Sequence, residues 1–451
     1  MAMIDNKDLN PELIKNVDPD LQPTKKRIMG PVSYGASMMG GCVSIGTFSM
    51  GAGLIGALTV TQAVLAMTIG CLVIAIALVF IGNCGHKYGI PYTIQLRSSF
   101  GTTGIKIPGM LRGVPAIIWF GFQSWVGAGA INSCTKILFG FDNLPLIYAL
   151  FTILQVALAI KGFEGIKWME NISCVFIVVI LVYMLYIVKT QFATEISDVF
   201  SGIQGTWGMP FWAATTSFLG IYSTMICNAS DYARNLEHKV GPVSTGSIYT
   251  LAILPVTLFM GLIGLLVTAA TGNSDPVAVF STTMDSKFLT IVTLLFIAFA
   301  QVTTNVLNNI VPPAYVLMES FKMKWSHATI AVGALSVCCM PWKLVTAESA
   351  AGLNLFTQLY SAFLGPIFAV MVVDYYILRK QKLDINDMYD KEGAFKGVNW
   401  NAVIAIVFGS VCSLLIVELS WYVSLIPTGV AYYLLMKTRG SKGFRKGTIF
   451  E

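Results

Sequence analysis

Apolar runs long enough to cross a lipid bilayer recur along the whole chain, and short polar segments separate them. A membrane-spanning helix needs about 20 mostly apolar residues, and about twelve segments meet or approach this length. They lie at roughly 30–57, 61–83, 105–138, 143–161, 166–189, 209–232, 245–271, 287–311, 327–342, 350–378, 401–418 and 420–437. The pattern predicts an all-α integral membrane protein with about twelve transmembrane helices.

The composition agrees with this pattern. Of the 451 residues, 55% are hydrophobic and 12% are charged, whereas soluble proteins have about 25% charged residues. A soluble fold has too little interior to bury that much apolar surface. These values exclude a soluble enzyme, a nucleic-acid-binding protein and a disulfide scaffold.

Lysine and arginine are distributed unevenly between alternate loops. With the N-terminus placed in the cytoplasm, 25 of the 29 basic residues fall on the cytoplasmic side and 4 on the other. Cytoplasmic loops of membrane proteins are enriched in these residues, and one missed span would invert every loop beyond it. Both termini are therefore predicted to be cytoplasmic, with an even number of spans in the cell membrane.

The short loops favour a carrier over a membrane enzyme or receptor, and the cysteines give no sign of a zinc or redox site. The N-terminal segment lacks the apolar stretch of a cleaved signal peptide, and the longest polar loops, 190–208 and 379–400, are too short for an enzyme domain. Most of the nine cysteines lie inside apolar runs and none forms a CxxC motif. We expect no cofactor, no nucleic-acid partner and no obligate protein partner.

Glycines near the middle of the first span suggest a broken helix. Gly40 and Gly41 lie there, and Gly220 is the one internal glycine of the sixth span, 180 residues beyond Gly40. Close helix packing is one explanation, because small residues are common at membrane helix interfaces. The other is an inverted five-plus-five repeat whose two interrupted helices form the binding site.

Polar side chains in the third span predict a site for a flat ring. Trp119 and Gln123 are four residues apart and share one helix face. An indole can stack on a heterocycle, while an amide can pair with ring N–H and C=O groups. Alternatively, Gln123 ties two helices together.

The eighth span carries an amide stripe and adjacent hydroxyls. Gln301, Asn305 and Asn309 recur every four residues, and Thr303 and Thr304 lie between them. The two hydroxyls, with carbonyl groups freed by a break in the first span, are suitable ligands for sodium, although such hydroxyls also bond back to their own helix. No acidic relay is visible at mid-membrane, which favours a neutral substrate with a co-bound cation.

These motifs resemble the nucleobase–cation symporter family 1, which includes hydantoin, allantoin, cytosine and uracil permeases. The resemblance runs from about Asn16 to Arg379. It is carried by NVDPDLQPTKKR before the first span, QLRSSFG at 95–101, WFGFQSWVGA at 119–128, NASDYAR at 228–234, TTNVLNNIVPPA at 303–314 and GPIFAVMVVDYYILR at 365–379. It implies the LeuT type of fold, in which two inverted repeats of five helices are followed by two more helices.

The resemblance also implies site residues. Trp119 and Gln123 match the stacking tryptophan and pairing glutamine of the family, and Asn309 matches its span-eight asparagine. Tyr222 stands where hydantoin and allantoin carriers usually have tryptophan, and Ser44 stands where hydantoin carriers have a larger polar residue. The sodium site of the sodium-coupled members falls on the carbonyls of Gly40, Val43 and Ala300 and the hydroxyls of Thr303 and Thr304.

The sequence thus predicts a secondary active transporter that imports a small neutral nucleobase-like or hydantoin-like heterocycle by sodium symport and alternating access. Its substrate would contact Trp119, Gln123, Tyr222, Asn309, Ser44 and Gly220. The rivals are proton-coupled transport of the same substrates and a channel. The expected organisation is a cytoplasmic segment (1–29), a transport core (30–379, with repeats at about 30–189 and 209–379), a loop with two further helices (380–437) and a cytoplasmic tail (438–451).

Overall fold

The computed structural model of the protein describes residues 9–161, 179, 181–282, 286–343 and 349–451. Within these ranges the regular elements are helices, and one β-type bridge joins Met29 to Leu236. The all-α prediction is confirmed for this part of the chain. The predicted fifth span, 166–189, lies mostly outside the described residues.

The first half of the chain contains helices α1 to α11. Their bounds are α1 Pro11–Ile14, α2 Pro31–Cys42, α3 Ile45–Ala52, α4 Val60–Tyr88, α5 Tyr92–Phe100, α6 Lys106–Phe139, α7 Leu144–Ile160, α8 181–191, α9 Ala193–Ser201, α10 Met209–Cys227 and α11 Ala229–Ala233.

The second half contains helices α12 to α21. Their bounds are α12 Pro242–Thr271, α13 Pro276–Thr282, α14 Lys287–Asn305, α15 Val311–Phe321, α16 Trp325–Cys338, α17 Ser349–Val372, α18 Ile385–Tyr389, α19 Trp400–Leu414, α20 Ser420–Arg439 and α21 Lys442–Arg445. One π-helical segment, Val306–Ile310, joins α14 to α15, and another, Val373–Leu378, follows α17.

Six helices in the described part are long and apolar enough to cross a membrane. They are Val60–Tyr88, Lys106–Phe139, Pro242–Thr271, Lys287–Phe321, Leu355–Leu378 and Val417–Arg439. Three shorter apolar helices are Leu144–Ile160, Trp325–Cys338 and Trp400–Leu414. The chain is therefore a multi-pass membrane protein.

The helices pack in two groups around the broken first span. In one group, α4 packs against α10 and α12, and α12 also packs against α2 and α3. In the other, α6 packs against α7, α14, α15 and α16. Helix α17 contacts both groups, through α10 and α6. The side chains of the candidate site lie where the two groups meet.

Glycines allow α3 and α12 to pack backbone against backbone. A Cβ atom added to Gly51 would collide with the carbonyl of Gly261, and one added to Gly264 would collide with the carbonyl of Phe48. Close packing therefore explains the presence of Gly51, since small residues are common at membrane helix interfaces.

Both terminal segments lie at the same end of the bundle. The Tyr389 hydroxyl donates to the carbonyl of Leu21 at 2.7 Å, which fixes the N-terminal segment. Near the C-terminus, the Ile449 amide donates to the carbonyl of Leu378 at 2.8 Å.

Candidate substrate and cation site

A small buried cavity lies at the meeting point of the two helix groups. Its volume is about 30 Å³, and one water needs roughly 10–15 Å³ on this scale. It is lined by Gly41, Ser44, Trp119, Gln123, Ile221, Tyr222, Thr224, Met225, Thr304, Asn308 and Asn309. Five of the six predicted substrate contacts are therefore together in one cavity, and Gly220 is the exception.

The break in the first span forms one wall of the cavity. Helix α2 ends at Cys42, and Val43 and Ser44 have extended backbones before α3 begins at Ile45. The Ser44 hydroxyl caps α3 by accepting a hydrogen bond from the Gly46 amide at 3.1 Å. Serine is a favoured N-cap residue, so it provides a start signal for the second half-helix.

Gln123 points from α6 to this break. Its Nε2 donates to the Ser44 hydroxyl at 3.1 Å. Its Oε1 is buried and has no hydrogen-bond partner in the described part of the chain. An unpaired buried acceptor is costly, and a ring N–H of a bound ligand would satisfy it. Gln123 can therefore have both roles. Its Nε2 links α6 to the break in the first span, and its Oε1 can accept a hydrogen bond from a ligand.

Trp119 lines the cavity. Its Nε1 donates to the Tyr360 hydroxyl of α17 at 3.2 Å, so the polar edge of the indole is held by the protein. Gly46 lies directly against the ring, because an added Cβ atom would come within 2.8 Å of Trp119 Cη2 and 2.5 Å of Ile221 Cδ1. Gly46 thus leaves room for the indole.

The hydroxyl of Tyr222 is hydrogen-bonded to two other groups of the protein. It donates to the carbonyl of Cys42, the last residue of α2, at 3.2 Å, and it lies 2.9 Å from the Thr257 hydroxyl of α12. The phenol therefore joins the broken helix to α12, while the residue still lines the cavity. A tryptophan at this position would lack the hydroxyl that makes these bonds.

Asn309 belongs to an amide network that extends away from the cavity. Its Nδ2 donates to Asn305 Oδ1 at 2.8 Å, and Asn305 donates to Gln155 Oε1 at 2.9 Å. Gln155 and Asn305 both donate to the Ser124 hydroxyl, at 2.9 and 3.2 Å. The network fixes the orientation of Asn309. Gln301, the third member of the predicted stripe, instead donates to the Ile297 carbonyl of its own helix.

The π-helical segment brings a second asparagine to the cavity. Asn308 donates to the carbonyl of Gly41 at 2.6 Å and accepts a hydrogen bond from the Tyr232 hydroxyl at 2.9 Å. The extra residue in a π turn widens the helix, and such turns occur frequently at functional sites. Sequence reasoning did not select Asn308, although its adjacency to Asn309 and the following Pro312–Pro313 pair were visible signals.

Arg112 is a second residue whose role was missed. It lies within α6 and is completely buried. Its Nη2 donates to the carbonyl of Asn308 at 3.0 Å, and its Nε donates to Asn228 Oδ1 at 2.9 Å. Arg112 therefore connects the π-helical segment to Asn228, where the sixth span is interrupted.

The prediction that the sixth span is interrupted near Gly220 is wrong. Helix α10 continues through Gly220 to Cys227, and the interruption follows at Asn228. A Cβ atom added to Gly220 would lie 3.0 Å from the Ser361 hydroxyl of α17. Gly220 therefore permits close packing of α10 against α17, and it is not among the residues that line the cavity.

The five oxygens of the predicted cation site converge beside the cavity. The Thr304 hydroxyl lies 2.5 Å from the Val43 carbonyl and 3.2 Å from the Gly40 carbonyl. The Thr303 hydroxyl lies 2.9 Å from the Ala300 carbonyl and 3.4 Å from the Gly40 carbonyl. These are hard oxygen donors without a carboxylate, which suits a monovalent cation.

The chain is similar to a known protein family, to individual relatives and to solved structures. The family described as permease for cytosine/purines, uracil, thiamine, allantoin matches residues 22–436. A hydantoin permease of Microbacterium maritypicum is 28% identical, with 91% of this chain and 86% of the relative covered. An allantoin permease of Bacillus subtilis (strain 168) is 27% identical, with 93% and 92% covered.

Solved structures agree with the sequence relatives. Mhp1, a nucleobase-cation-symport-1 transporter in a closed conformation with bromovinylhydantoin bound, has a TM-score of 0.86 at 26% identity, covering 96% of this chain and 99% of Mhp1. The inward-facing conformation of Mhp1 has a TM-score of 0.82 at 26% identity, covering 96% of this chain and 97% of that structure. The relatives are permeases rather than enzymes. This chain belongs to the family of permeases for cytosine/purines, uracil, thiamine and allantoin.

Proposed function

We propose that this transporter imports a small, neutral, nucleobase-like or hydantoin-like heterocycle together with sodium. The observation that carries the proposal is the convergence of an aromatic and amide-lined cavity with five hard oxygens at one broken helix. Its similarity to Mhp1, described with a hydantoin bound, supports the substrate class.

The substrate is held by stacking and by amide hydrogen bonds. Its flat ring lies against the faces of Trp119 and Tyr222, and its edge bonds to Gln123 and Asn309. Gln123 Oε1 accepts from a ring N–H, because this oxygen is buried without another partner. Stacking of a base on an aromatic side chain contributes about 1–3 kcal/mol.

Sodium is the co-transported ion in this proposal. It binds to the carbonyls of Gly40, Val43 and Ala300 and to the hydroxyls of Thr303 and Thr304. Its binding orders the break in the first span and thereby favours substrate binding. Inward movement of one positive charge gains about 2.3 kcal/mol per 100 mV, which corresponds to roughly fifty-fold accumulation.

The finer architecture is part of the same proposal. The chain crosses the plasma membrane about twelve times with both termini in the cytoplasm, and repeats at about 30–189 and 209–379 have inverted topology. Rocking of the bundle formed by the first, second, sixth and seventh spans against the remaining helices gives alternating access. The interruptions at 43–44 and at Asn228, one in each repeat, support this arrangement.

Uptake by the purified full-length chain in proteoliposomes tests the proposal. Labelled cytosine, uracil, allantoin and hydantoin are supplied with an inward sodium gradient at equal pH, and separately with a proton gradient without sodium. We expect saturable, sodium-driven accumulation of at least one of them. Accumulation driven by protons alone would assign coupling to protons, and non-saturable flux would indicate a channel.

A further inference from the structure

A polar cavity of about 190 Å³ lies between the end of α4 and the start of α12, and it shares no lining residue with the central cavity. It is lined by Val79, Gly82, Asn83, His86, Lys87, His238, Lys239, Val240, Gly241, Pro242 and Thr245. The described residues that line it include two lysines and two histidines but no aspartate or glutamate. The cavity is therefore suited to an anion.

The basic side chains approach the cavity from separate segments. Lys87 lies in the last turn of α4 and donates to the carbonyl of Gln381 at 2.6 Å, whereas Lys239 is an exposed loop residue. The rings of His86 and His238 are 5.9 Å apart. Arg27 donates to the carbonyl of His86 at 3.0 Å and adds a further positive charge behind it.

The start of α12 adds partial positive charge, and the carboxylate of Glu237 lies outside the cavity lining. Gly241 and Pro242 begin the 30-residue helix α12, whose N-terminus carries the positive end of the helix dipole. The carboxylate of Glu237, next to His238 in sequence, lies beside Gly30, where an added Cβ atom would be 3.6 Å from Glu237 Oε1. Glu237 does not line the cavity.

An apolar groove of about 580 Å³ continues from this cavity along the outer surface of α4 and α12. Val79 lines both the cavity and the groove, and Gly246 lies opposite it. Several side chains along the groove are exposed, including Ile76 at 58% and Leu251 at 69%. The basic cavity and the apolar groove thus form one continuous surface.

We propose that this surface binds an anionic phospholipid, with the headgroup phosphate in the basic cavity and an acyl chain in the groove. Leu72 in the groove and Lys87 in the cavity are fifteen residues apart on α4, which is about 22 Å at 1.5 Å per residue. One leaflet of a bilayer, with its headgroups, is about 20–22 Å thick. Basic pockets between membrane helices on the cytoplasmic side bind anionic headgroups in the same way.

Native mass spectrometry of the full-length chain tests the proposal directly. The protein is mixed in detergent with equimolar phosphatidylglycerol and phosphatidylcholine that carry identical acyl chains. We expect wild type to retain several-fold more phosphatidylglycerol. The double variant Lys87→Gln and Lys239→Gln should bring the ratio of the two lipids close to one. The matched variant Lys391→Gln and Lys442→Gln, with the same charge removed elsewhere, should behave as wild type.

A second pair of variants separates a lipid from a free anion. Gly246→Leu fills the groove and should reduce retention of both lipids, whereas Gly129→Leu, where an added Cβ meets no atom within 4 Å, should not. The single variant Lys239→Gln repeats the charge test at an exposed position if the double variant fails to fold. Equal retention of both lipids by wild type would overturn the proposal. Displacement by equimolar glycerol phosphate together with no effect of Gly246→Leu would also overturn it, because the site would then bind only a free phosphate.

Discussion

The Gln123 amide is hydrogen-bonded to the hydroxyl of Ser44 at 3.1 Å, at the point where the first span is interrupted. The preceding residue, Val43, has its carbonyl 2.5 Å from the Thr304 hydroxyl. Two consecutive residues of one extended segment therefore contact different sites: Ser44 lines the candidate substrate cavity, and Val43 belongs to the five oxygens of the proposed cation site. A cation that fixes Val43 also fixes Ser44, so the two binding events are expected to be coupled, and this coupling is reciprocal.

Replacing Gln123 by alanine should abolish measurable substrate binding. The variant removes the unpaired acceptor and releases Ser44, and each lost hydrogen bond to a buried group costs about 1–3 kcal/mol. Binding of the transported heterocycle is measured by calorimetry or competition. Gln301→Ala is the control, because Gln301 is a buried amide that bonds to its own helix. Unchanged binding in Gln123→Ala would contradict the substrate assignment.

Trp119→Ala should weaken substrate binding by roughly five- to 150-fold, which is the range of stacking energies of about 1–3 kcal/mol. Trp125→Ala provides a matched comparison six residues further along α6. The Trp125 ring packs against Tyr148 and Trp342, so its loss should lower thermal stability more than affinity. Equal losses of affinity in the two variants would show that Trp119 acts through the fold and does not contact the ligand.

Thr304→Val should raise the sodium concentration needed for half-maximal substrate binding by about tenfold or more. Valine keeps the shape of threonine but removes the hydroxyl that contacts the Gly40 and Val43 carbonyls. The readout is substrate affinity across a sodium titration at fixed pH. In the same helix, Thr290→Val removes a buried hydroxyl that donates to the Ser286 carbonyl, and its sodium response should match wild type. If wild-type affinity does not respond to sodium, the ion assignment fails.

Gly46→Ala should reduce uptake severely, because the new methyl group would lie within 2.8 Å of Trp119 and 2.5 Å of Ile221. Both neighbours line the cavity, so the side chains that move to relieve the clash include Trp119, on which the substrate is proposed to stack. Gly129→Ala in α6 is the matched change in open space and should leave uptake intact. Initial uptake rates, corrected for the amount of protein in the vesicles, distinguish the two results.

The apolar pattern was sufficient to predict a multi-pass helical membrane protein, and four-residue spacing selected Trp119 and Gln123, because both are properties of the chain itself. Tyr222 was selected only by the family resemblance. The sequence was less accurate for the interruptions. Glycine costs about 1 kcal/mol in a helix, yet Gly220 stays helical because α17 packs directly against it. The first interruption occurs at 43–44, where Ser44 caps the next half-helix.

Regular helical spacing alone does not explain why Asn308 and Asn309 reach the same cavity. They lie three and four residues beyond Asn305, so an α-helix places both near its face but directs their side chains about 100° apart. The π-helical turn at Val306–Ile310 changes the register and brings both asparagines to the cavity. Similarly, Arg112 is separated from Asn228 by 116 positions in the chain, so only the folded arrangement reveals their contact.

The central cavity, at about 30 Å³, has room for only two or three water molecules. A heterocycle therefore fits only after the surrounding side chains separate, so its binding includes the free energy of that opening. The apparent dissociation constant then equals the intrinsic constant divided by the fraction of molecules that is open. Ligand series measured on this protein will therefore report the free energy of opening as a shared offset, and only differences between ligands will reflect their contacts with the walls.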